Sequence, residues 1–94
     1  MRILALDVGT TSIRGIVMDD AGRFVDEESR QTPLIISGSF IEQSPTVYRD
    51  CLYGICSRLS RDNEIDAVSI TGFRSAPMLI SSDGEPLSNF IMWQ

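Results

Sequence analysis

The sequence predicts an α/β fold that begins with a three-stranded antiparallel meander. Strands are expected at about 2–7, 12–18 and 23–32, because these stretches are bounded by turn residues and rich in strand-forming side chains. A helical periodicity starts at Tyr48 and precedes another apolar run at 65–72. A strand that follows a crossover helix usually runs parallel to the strand before it, so the last run is expected to lie parallel to the first strand.

The first strand is a continuous apolar run that ends in an acid. Residues 3–6 are all apolar and Asp7 closes the run, which is typical of a strand buried on both faces. The Asp-Asp-Ala-Gly cluster at 19–22 is a hairpin-turn signal between the second and third strands. The third strand is polar through 27–31, which suits an edge of the sheet.

The middle of the chain carries the start signals of the helix. Residues 33–43 are predicted to form a loop, because Gly and Ser interrupt the apolar residues. Ser44 is a good helix cap and Pro45 is tolerated at the first helical position, so the helix is expected to begin there and to end near 60–63. A further hairpin is predicted around the turn at 81–84.

The predicted helix has one apolar face. The apolar positions that recur at helical spacing are Tyr48, Cys51, Leu52, Ile55 and Leu59. The polar positions between them are expected to face water, and these are Arg49, Asp50, Ser57, Arg58 and Arg61.

The composition excludes several kinds of chemistry. Ninety-four residues form at most one domain. The net charge of −5 argues against a nucleic-acid-binding surface, which needs a basic excess. The chain has no His, and all of its cationic side chains are Arg. The sequence therefore lacks the residues for Ser-His-Asp catalysis, most zinc sites and a P-loop lysine.

The cysteines and the hydropathy indicate a cytoplasmic chain. Cys51 and Cys56 fit neither a disulfide framework nor a Cys-x-x-Cys motif, so we expect buried free thiols in a reducing compartment. No secretory signal is expected before Asp7, and no run approaches the roughly 18 apolar residues of a membrane span. We therefore predict neither a membrane nor a nucleic-acid partner.

The turn between the first two strands carries the groups that a phosphate needs. Gly9 has no Cβ, so an anion can approach the backbone closely. Thr10, Thr11 and Ser12 supply three hydroxyls and their backbone N–H groups. Asp7 at the end of the strand is placed to hold a hard cation. We therefore predict that a metal-bound polyphosphate rests on this turn.

Five segments together resemble a known family. Residues 7–14 (DVGTTSIR) resemble the first phosphate motif of the actin, heat-shock chaperone and sugar-kinase superfamily. The other segments resemble motifs of the FGGY carbohydrate kinases and occur in that family's order: residues 41–45 (IEQSP), 68–72 (VSITG), 83–87 (DGEPL) and 91–94 (IMWQ). As a set they span the whole chain.

The resemblance implies an ATP-dependent kinase that phosphorylates a sugar or polyol hydroxyl. It also implies a ribonuclease-H-like (actin-like ATPase) fold for the first domain. Chains of that family have two large domains, so residues 1–94 are expected to form part of the N-terminal kinase domain. The catalytic base and the nucleotide-holding second domain are expected downstream, and the fragment alone is expected to be inactive. A homodimer is the oligomer considered for the full-length protein.

The resemblance also implies roles in cofactor binding. Asp7 would hold Mg²⁺ through water, since Mg²⁺ keeps most of its hydration shell. Arg14 would reach the phosphates of ATP with its guanidinium. The turn residues that would line the β- and γ-phosphates are Gly9, Thr10, Thr11 and Ser12.

The expected sugar contacts follow the fourth strand. In the glycerol-kinase branch this segment reads roughly N-Q-R-E-T, and here residues 72–76 read GFRSA. Arg74 matches, whereas Phe73 and Ser75 replace the Gln and the Glu. Arg74 and Ser75 would contact the substrate, and Trp93 would stack on the carbon face of a polyol. The residues that mark the xylulose branch are also absent, so the identity of the substrate stays open.

Two other interpretations of the first motif stay open. Ribonuclease-H-like Holliday-junction resolvases also begin with a strand that ends L-D-x-G-T, and there Asp7 would be one of several carboxylates for paired metals. That interpretation predicts a basic face and another acid near the end of the fourth strand, where this chain has Thr71 and Gly72. The other alternative is a non-catalytic actin-like nucleotide-binding module, which would keep residues 7–11 and need no sugar contacts.

Overall fold

The structure is a computed structural model that describes residues 1–72 and 76–92. In chain order the elements are β1 (Arg2–Val8), β2 (Ser12–Asp19), β3 (Phe24–Gln31), β4 (Ile35–Ser37), β5 (Phe40–Gln43), α1 (Pro45–Asp62), β6 (Ala67–Gly72) and β7 (Phe90–Ile91).

The main sheet has the strand order β3-β2-β1-β6. Strands β1, β2 and β3 form an antiparallel meander, and β6 pairs in parallel with β1. In this register Leu4 of β1 lies beside Val17 of β2 and Val68 of β6. The predicted meander, crossover helix and parallel strand are therefore confirmed.

A second, smaller sheet corrects the prediction for residues 33–43. This segment is a β-hairpin, β4–β5, rather than a loop, and β7 adds to it in the order β4-β5-β7. The Gly and Ser that indicated a loop are the hairpin turn itself, in which Gly38 adopts a φ of 62°. The predicted later hairpin is present as a short antiparallel turn around Gly84, with a bridge between Ile80 and Pro86. The N–H groups of Ser81 and Leu87 donate across it to the carbonyls of Glu85 and Leu79, both at 2.8 Å.

The helix begins and ends where the sequence predicts. Ser44 is the N-cap, and its hydroxyl accepts a hydrogen bond from the backbone N–H of Val47 at 3.3 Å. Pro45 occupies the first turn and Asn63 is the C-cap. Within the residues that the structure describes, no helix is long and apolar enough to cross a membrane.

The core lies between α1 and one face of β1 and β2. Its buried residues are Leu4, Leu6, Ile13, Val17, Tyr48, Ile55 and Leu59. Gly15 of β2 allows this close packing, because a Cβ at that position would lie 2.6 Å from Cγ2 of Ile55 and 2.9 Å from Cδ1 of Leu59. The helix therefore rests directly on the backbone of β2.

The edge strand β3 is held to α1 by charge, which corrects the expectation that Arg58 faces water. The Arg58 guanidinium donates to Asp26 Oδ2 at 2.7 Å and to Glu28 Oε2 at 2.6 Å. Hydrogen bonds from Asn63 and Arg58 hold the pKa of Asp26 below its usual value, and those from Arg58 and Arg30 do the same for the pKa of Glu28. The helix-facing side of β3 is acidic, so an arginine rather than an apolar residue meets it.

The cysteines are less buried than predicted. Cys51 and Cys56 are both free and only half-buried, at the border of the core. Burial raises the pKa of the Cys56 thiol above its usual value, which keeps that thiol protonated.

Candidate functional site

The turn between β1 and β2 is tight and depends on a glycine. The N–H of Gly9 donates to the carbonyl of Ser12 at 2.9 Å. A Cβ on Gly9 would lie 2.9 Å from that same carbonyl oxygen, a distance that Cβ atoms essentially never adopt. A larger residue at position 9 would therefore force the turn open.

All three carbonyl groups of residues 9–11 are bound by donors from outside the turn. The contacts are Tyr48 Oη to Gly9 O (2.9 Å), Gln43 Nε2 to Thr10 O, Thr32 Oγ1 to Thr10 O (3.3 Å) and the Thr32 backbone N–H to Thr11 O (3.0 Å). We call Thr32, Gln43 and Tyr48 the carbonyl clamp.

The clamp determines which way the amides of the turn point. In a planar trans peptide the C=O and the following N–H point in opposite directions. Because the carbonyls of Gly9 and Thr10 point at the clamp, the N–H groups of Thr10 and Thr11 point away from it. Neither N–H donates a hydrogen bond to any residue that the structure describes. Successive N–H groups that point the same way form a concave site for an anion.

Asp7 lies on the face of the sheet opposite to α1. Side chains alternate along a strand, and the preceding residue, Leu6, is buried against the helix. The register places Arg14 on one side of Asp7 and Thr71 on the other. The exposed carboxylate makes no hydrogen bond or ion pair with the described residues.

The surroundings of Asp7 fit a hydrated cation better than a chelated one. The described part of the chain contains no group of three or more carboxylate, thiol or imidazole side chains that could enclose a metal. A single exposed carboxylate is the protein ligand that Mg²⁺ commonly uses beside phosphates, since Mg²⁺ retains several waters. Asp7 therefore fits the predicted role through one direct or water-bridged contact.

Arg14 lies next to Asp7 but points at another acid. Its Nη2 is 2.6 Å from Oε2 of Glu27 on the neighbouring strand. Both side chains are about half exposed, so the pair contributes about 0–1 kcal/mol and exchanges its partner at low cost. The structure thus places Arg14 on the face of Asp7, and its contact with phosphate stays a prediction.

A groove of about 400 Å³ opens at the carboxyl ends of β1 and β6. Its lining residues are Val8, Leu52, Ile70, Thr71, Gly72, Ala76 and Phe90. Ligands of open α/β sheets commonly bind at this end of the strands. Residues 72 and 76 flank the segment in which Arg74 and Ser75 were predicted to contact substrate. Those two residues and Trp93 lie outside the described residues.

The carbonyl clamp could not be predicted from the sequence. Gln43 lies in the quoted motif at 41–45, which was interpreted only as the entry to the helix. The role of Gln43 becomes clear only from its complete burial, which depends on the fold. Thr32 and Tyr48 carry no local signal, because an ordinary strand end and an ordinary amphipathic helix contain the same residues.

Comparisons with known proteins show the family to which the chain belongs. The family described as "FGGY family of carbohydrate kinases, N-terminal domain" matches residues 2–94. The glycerol kinase of Marinomonas sp. (strain MWYL1) is 33% identical over 99 residues, covering 98% of this chain and 20% of that protein. The chain thus spans about a fifth of the length of the curated relatives that it matches.

Solved structures support the same fold. A ligand-bound xylulose kinase from Lactobacillus acidophilus superimposes with a TM-score of 0.89 at 30% identity, covering 98% of this chain and 19% of that one. A gluconate kinase from the same organism gives the same TM-score, identity and coverage. The family resemblance read from the sequence is confirmed, and the chain belongs to the FGGY family of carbohydrate kinases.

Proposed function

We propose that this chain is part of the N-terminal domain of an ATP-dependent kinase that phosphorylates a hydroxyl of a sugar or polyol. The observation that carries the proposal is the pair of outward N–H groups on Thr10 and Thr11 close to Asp7. Only Val8 and Gly9 separate Asp7 from Thr10 in sequence, and the Asp7 carboxylate has no partner among the described residues. Phosphoryl transfer depends mainly on positioning and charge neutralisation, and these groups supply both. The catalytic base is proposed to lie outside this chain.

Each part of the turn has a distinct task in this proposal. The N–H groups and hydroxyls of Thr10, Thr11 and Ser12 bind the β- and γ-phosphate oxygens of ATP. Asp7 would hold the hydrated Mg²⁺ that accompanies the nucleotide. When bound, Mg²⁺ neutralises charge on the phosphates. Arg14 exchanges Glu27 for a phosphate oxygen, to which a guanidinium makes two parallel hydrogen bonds.

The acceptor is proposed to bind at the groove beside β6. The similar proteins are kinases of glycerol, xylulose and gluconate, and all three compounds carry several hydroxyl groups. Arg74 and Ser75 would then approach the acceptor hydroxyls, and Trp93 its carbon face. The two free cysteines are consistent with a cytoplasmic enzyme.

The nuclease alternative is not favoured. It requires a second acid near the end of the fourth strand to share metals with Asp7. In the observed register the β6 residue beside Asp7 is Thr71. The relatives reported above are kinases, and each of them aligns with nearly the whole of this chain.

The test is an acceptor-dependent kinase assay on the full-length protein that carries this chain. ATP and Mg²⁺ are supplied with glycerol, xylulose or gluconate, followed by a wider panel of polyols and sugars. ADP release and the mass of the product are measured. We expect at least one polyhydroxyl compound to gain one phosphoryl group, and a complete lack of acceptor-dependent ADP release would contradict the proposal.

A further inference from the structure

We propose that the carbonyl clamp residues Thr32, Gln43 and Tyr48 are positioning residues for phosphoryl transfer. They hold the carbonyls of residues 9–11 and thereby aim the N–H groups of Thr10 and Thr11 at the phosphates of ATP. None of the three needs to touch the nucleotide. The inference rests on the proposed function, and it explains why the amides of the phosphate-binding turn point outward.

The side-chain amide of Gln43 can bind the turn in only one of its two orientations. Its side chain is completely buried, and Nε2 donates both to Thr10 O and to Thr32 O, the latter at 3.1 Å. These two bonds use both amide hydrogens, which leaves Oε1 to accept from Tyr48. The reversed amide would place Oε1 against two carbonyl oxygens. The network therefore fixes the donor edge of Gln43 toward the turn.

Tyr48 fixes the peptide that follows Gly9. Its single phenolic proton lies between Gly9 O, at 2.9 Å, and Oε1 of Gln43. Burial raises the pKa of the phenol above its usual value, so the group remains a donor at physiological pH. The ring packs edge-on against Phe90, with centroids 5.4 Å apart. This packing holds the hydroxyl in place.

The clamp collects its donors from three separate elements. Thr32 follows β3, Gln43 ends β5 and Tyr48 lies in the first turn of α1. Burying polar groups costs free energy unless every one is hydrogen-bonded. Among the described residues, no buried side-chain nitrogen or oxygen lacks a partner. Apolar residues could fill the same space, but they would leave the carbonyls of Gly9 and Thr10 without their side-chain donors. The converging donors therefore set the direction of consecutive peptides, which is a positioning task.

The experiment separates a positioning role from a general structural one. In the full-length protein, Tyr48→Phe removes the hydroxyl and keeps the ring. The matched control is Tyr53→Phe on the same helix, where the side chain is 69% exposed and makes no hydrogen bond with a described residue. A second pair is Thr32→Val, which removes the hydroxyl, and Thr32→Ser, which keeps it. Affinities for ATP and for AMP are measured by titration calorimetry, together with the KM of the acceptor.

We expect Tyr48→Phe to weaken ATP binding by about 5-fold or more, because Gly9 O loses its side-chain donor. Thr32→Val should weaken it by about 3-fold, because Thr10 O keeps its bond from Gln43. Affinity for AMP, which lacks the β- and γ-phosphates, and the KM of the acceptor should change by less than about 2-fold. Thr32→Ser should retain most of the ATP affinity that Thr32→Val loses. The Thr32 pair decides the matter if Tyr48→Phe fails to fold.

Three results would overturn the inference in different ways. If the wild-type protein binds no ATP, both the proposed function and the positioning role of the clamp are rejected. If the wild-type protein binds ATP and the ATP affinities of Tyr48→Phe and Tyr53→Phe are the same, only the positioning role of the clamp is rejected. An equal loss of ATP affinity, AMP affinity and acceptor binding would show that the three residues only stabilise the fold.

Discussion

Asp7 carries the largest share of the proposed chemistry at the scale of single residues. Its neighbour Arg14 is engaged by Glu27, so the face of the sheet beside the turn has one more negative than positive charge among these three side chains. A cation is the natural partner of that face. Asp7 is also the acid that adjoins the outward amides of the turn.

Asp7→Ala is expected to lower kcat of the full-length protein by on the order of 100-fold, because it removes the group that orients the metal beside the phosphates. Steady-state kinetics at saturating ATP and acceptor would measure this. The control is Asp20→Ala at the other end of β2, where the carboxylate is exposed and bonded to the N-terminal amine. Turnover close to that of the wild type in Asp7→Ala would reject the assignment.

The residues of the turn could be predicted from sequence, whereas the clamp could not. Gly9 and the hydroxyl residues after it are consecutive, so their capacity to bind phosphate can be recognised from the sequence alone. Gln43 acts on Thr10 across 33 positions of sequence, and its role depends on a fold that brings them together. Arg74, Ser75 and Trp93 stay predictions.

At the scale of elements, the contact between α1 and β2 sets the position of the clamp. The helix places Tyr48 under the turn, and Gly15 lets the helix approach that closely. The sequence periodicity predicted the three buried helix residues Tyr48, Ile55 and Leu59, whereas Cys51 and Leu52 of the predicted apolar face are only partly buried. It did not reveal Gly15, because a glycine within a strand has no local signature of what packs on it.

Gly15→Ala is expected to destabilise the protein by about 1–3 kcal/mol, since its methyl group would overlap Ile55 and Leu59. Gly54→Ala on α1 is the matched control. There a Cβ meets only the guanidinium of Arg30, which can move, and alanine favours the helix by about 0.5–1 kcal/mol. Thermal unfolding of the full-length protein should show a lower midpoint for Gly15→Ala and an equal or higher one for Gly54→Ala. Equal midpoints for the two variants would argue against direct helix-to-backbone packing.

The ion pairs between α1 and β3 predict a dependence of stability on pH. The pKa values of Asp26 and Glu28 are lowered in the folded state, so the unfolded chain binds more protons in the acid range. This stabilisation is fully present above about pH 4.5, near the ordinary carboxyl pKa, and is lost as the pH falls through the lowered values.

Arg58→Gln is therefore expected to lower the thermal midpoint at pH 7 and to make its fall between about pH 5 and pH 3 shallower than in the wild type. Arg49→Gln is the control, because Arg49 is exposed on the same helix and forms no ion pair with the described residues. Parallel pH curves for the wild type and Arg58→Gln would contradict the role given to Arg58.

The element boundaries show where sequence reasoning is strong and where it fails. The start of α1 was predictable because Ser44 and Pro45 act locally on the helix end. The hairpin β4–β5 was missed because Gly38 looks the same in a loop and in a tight turn. What decides between them is the pairing of Ile35 with Glu42 and of β5 with the distant β7.

At the scale of the whole molecule, α1 packs on β2 and β3 and shares its core with β1, but it leaves β6 exposed. Val68 and Ile70 lie on the same face as the buried Leu4 and Leu6 by register, yet they are 62% and 63% exposed. Contiguous apolar surface of this kind usually marks a place where other protein packs. The chain spans about a fifth of its curated relatives, which agrees with that interpretation.

The 94-residue chain alone is expected to show no kinase activity, because it lacks the proposed catalytic base and adenosine site. It should also bind an apolar dye more strongly than the full-length protein does, since Val68 and Ile70 would be exposed only in the former. Activity assays and dye fluorescence on both proteins, at equal molar concentration, would measure this. ATP-dependent sugar phosphorylation by the short chain would overturn the expectation.

The most direct test of the central claim is a crystal structure of the full-length protein with Mg²⁺ and a non-hydrolysable ATP analogue. We predict β- or γ-phosphate oxygens within about 3.2 Å of the N–H groups of Thr10 and Thr11. We also predict that a water ligand of Mg²⁺ or the ion itself contacts the carboxylate of Asp7. Phosphates bound elsewhere, with the turn amides facing solvent or other side chains, would contradict the account.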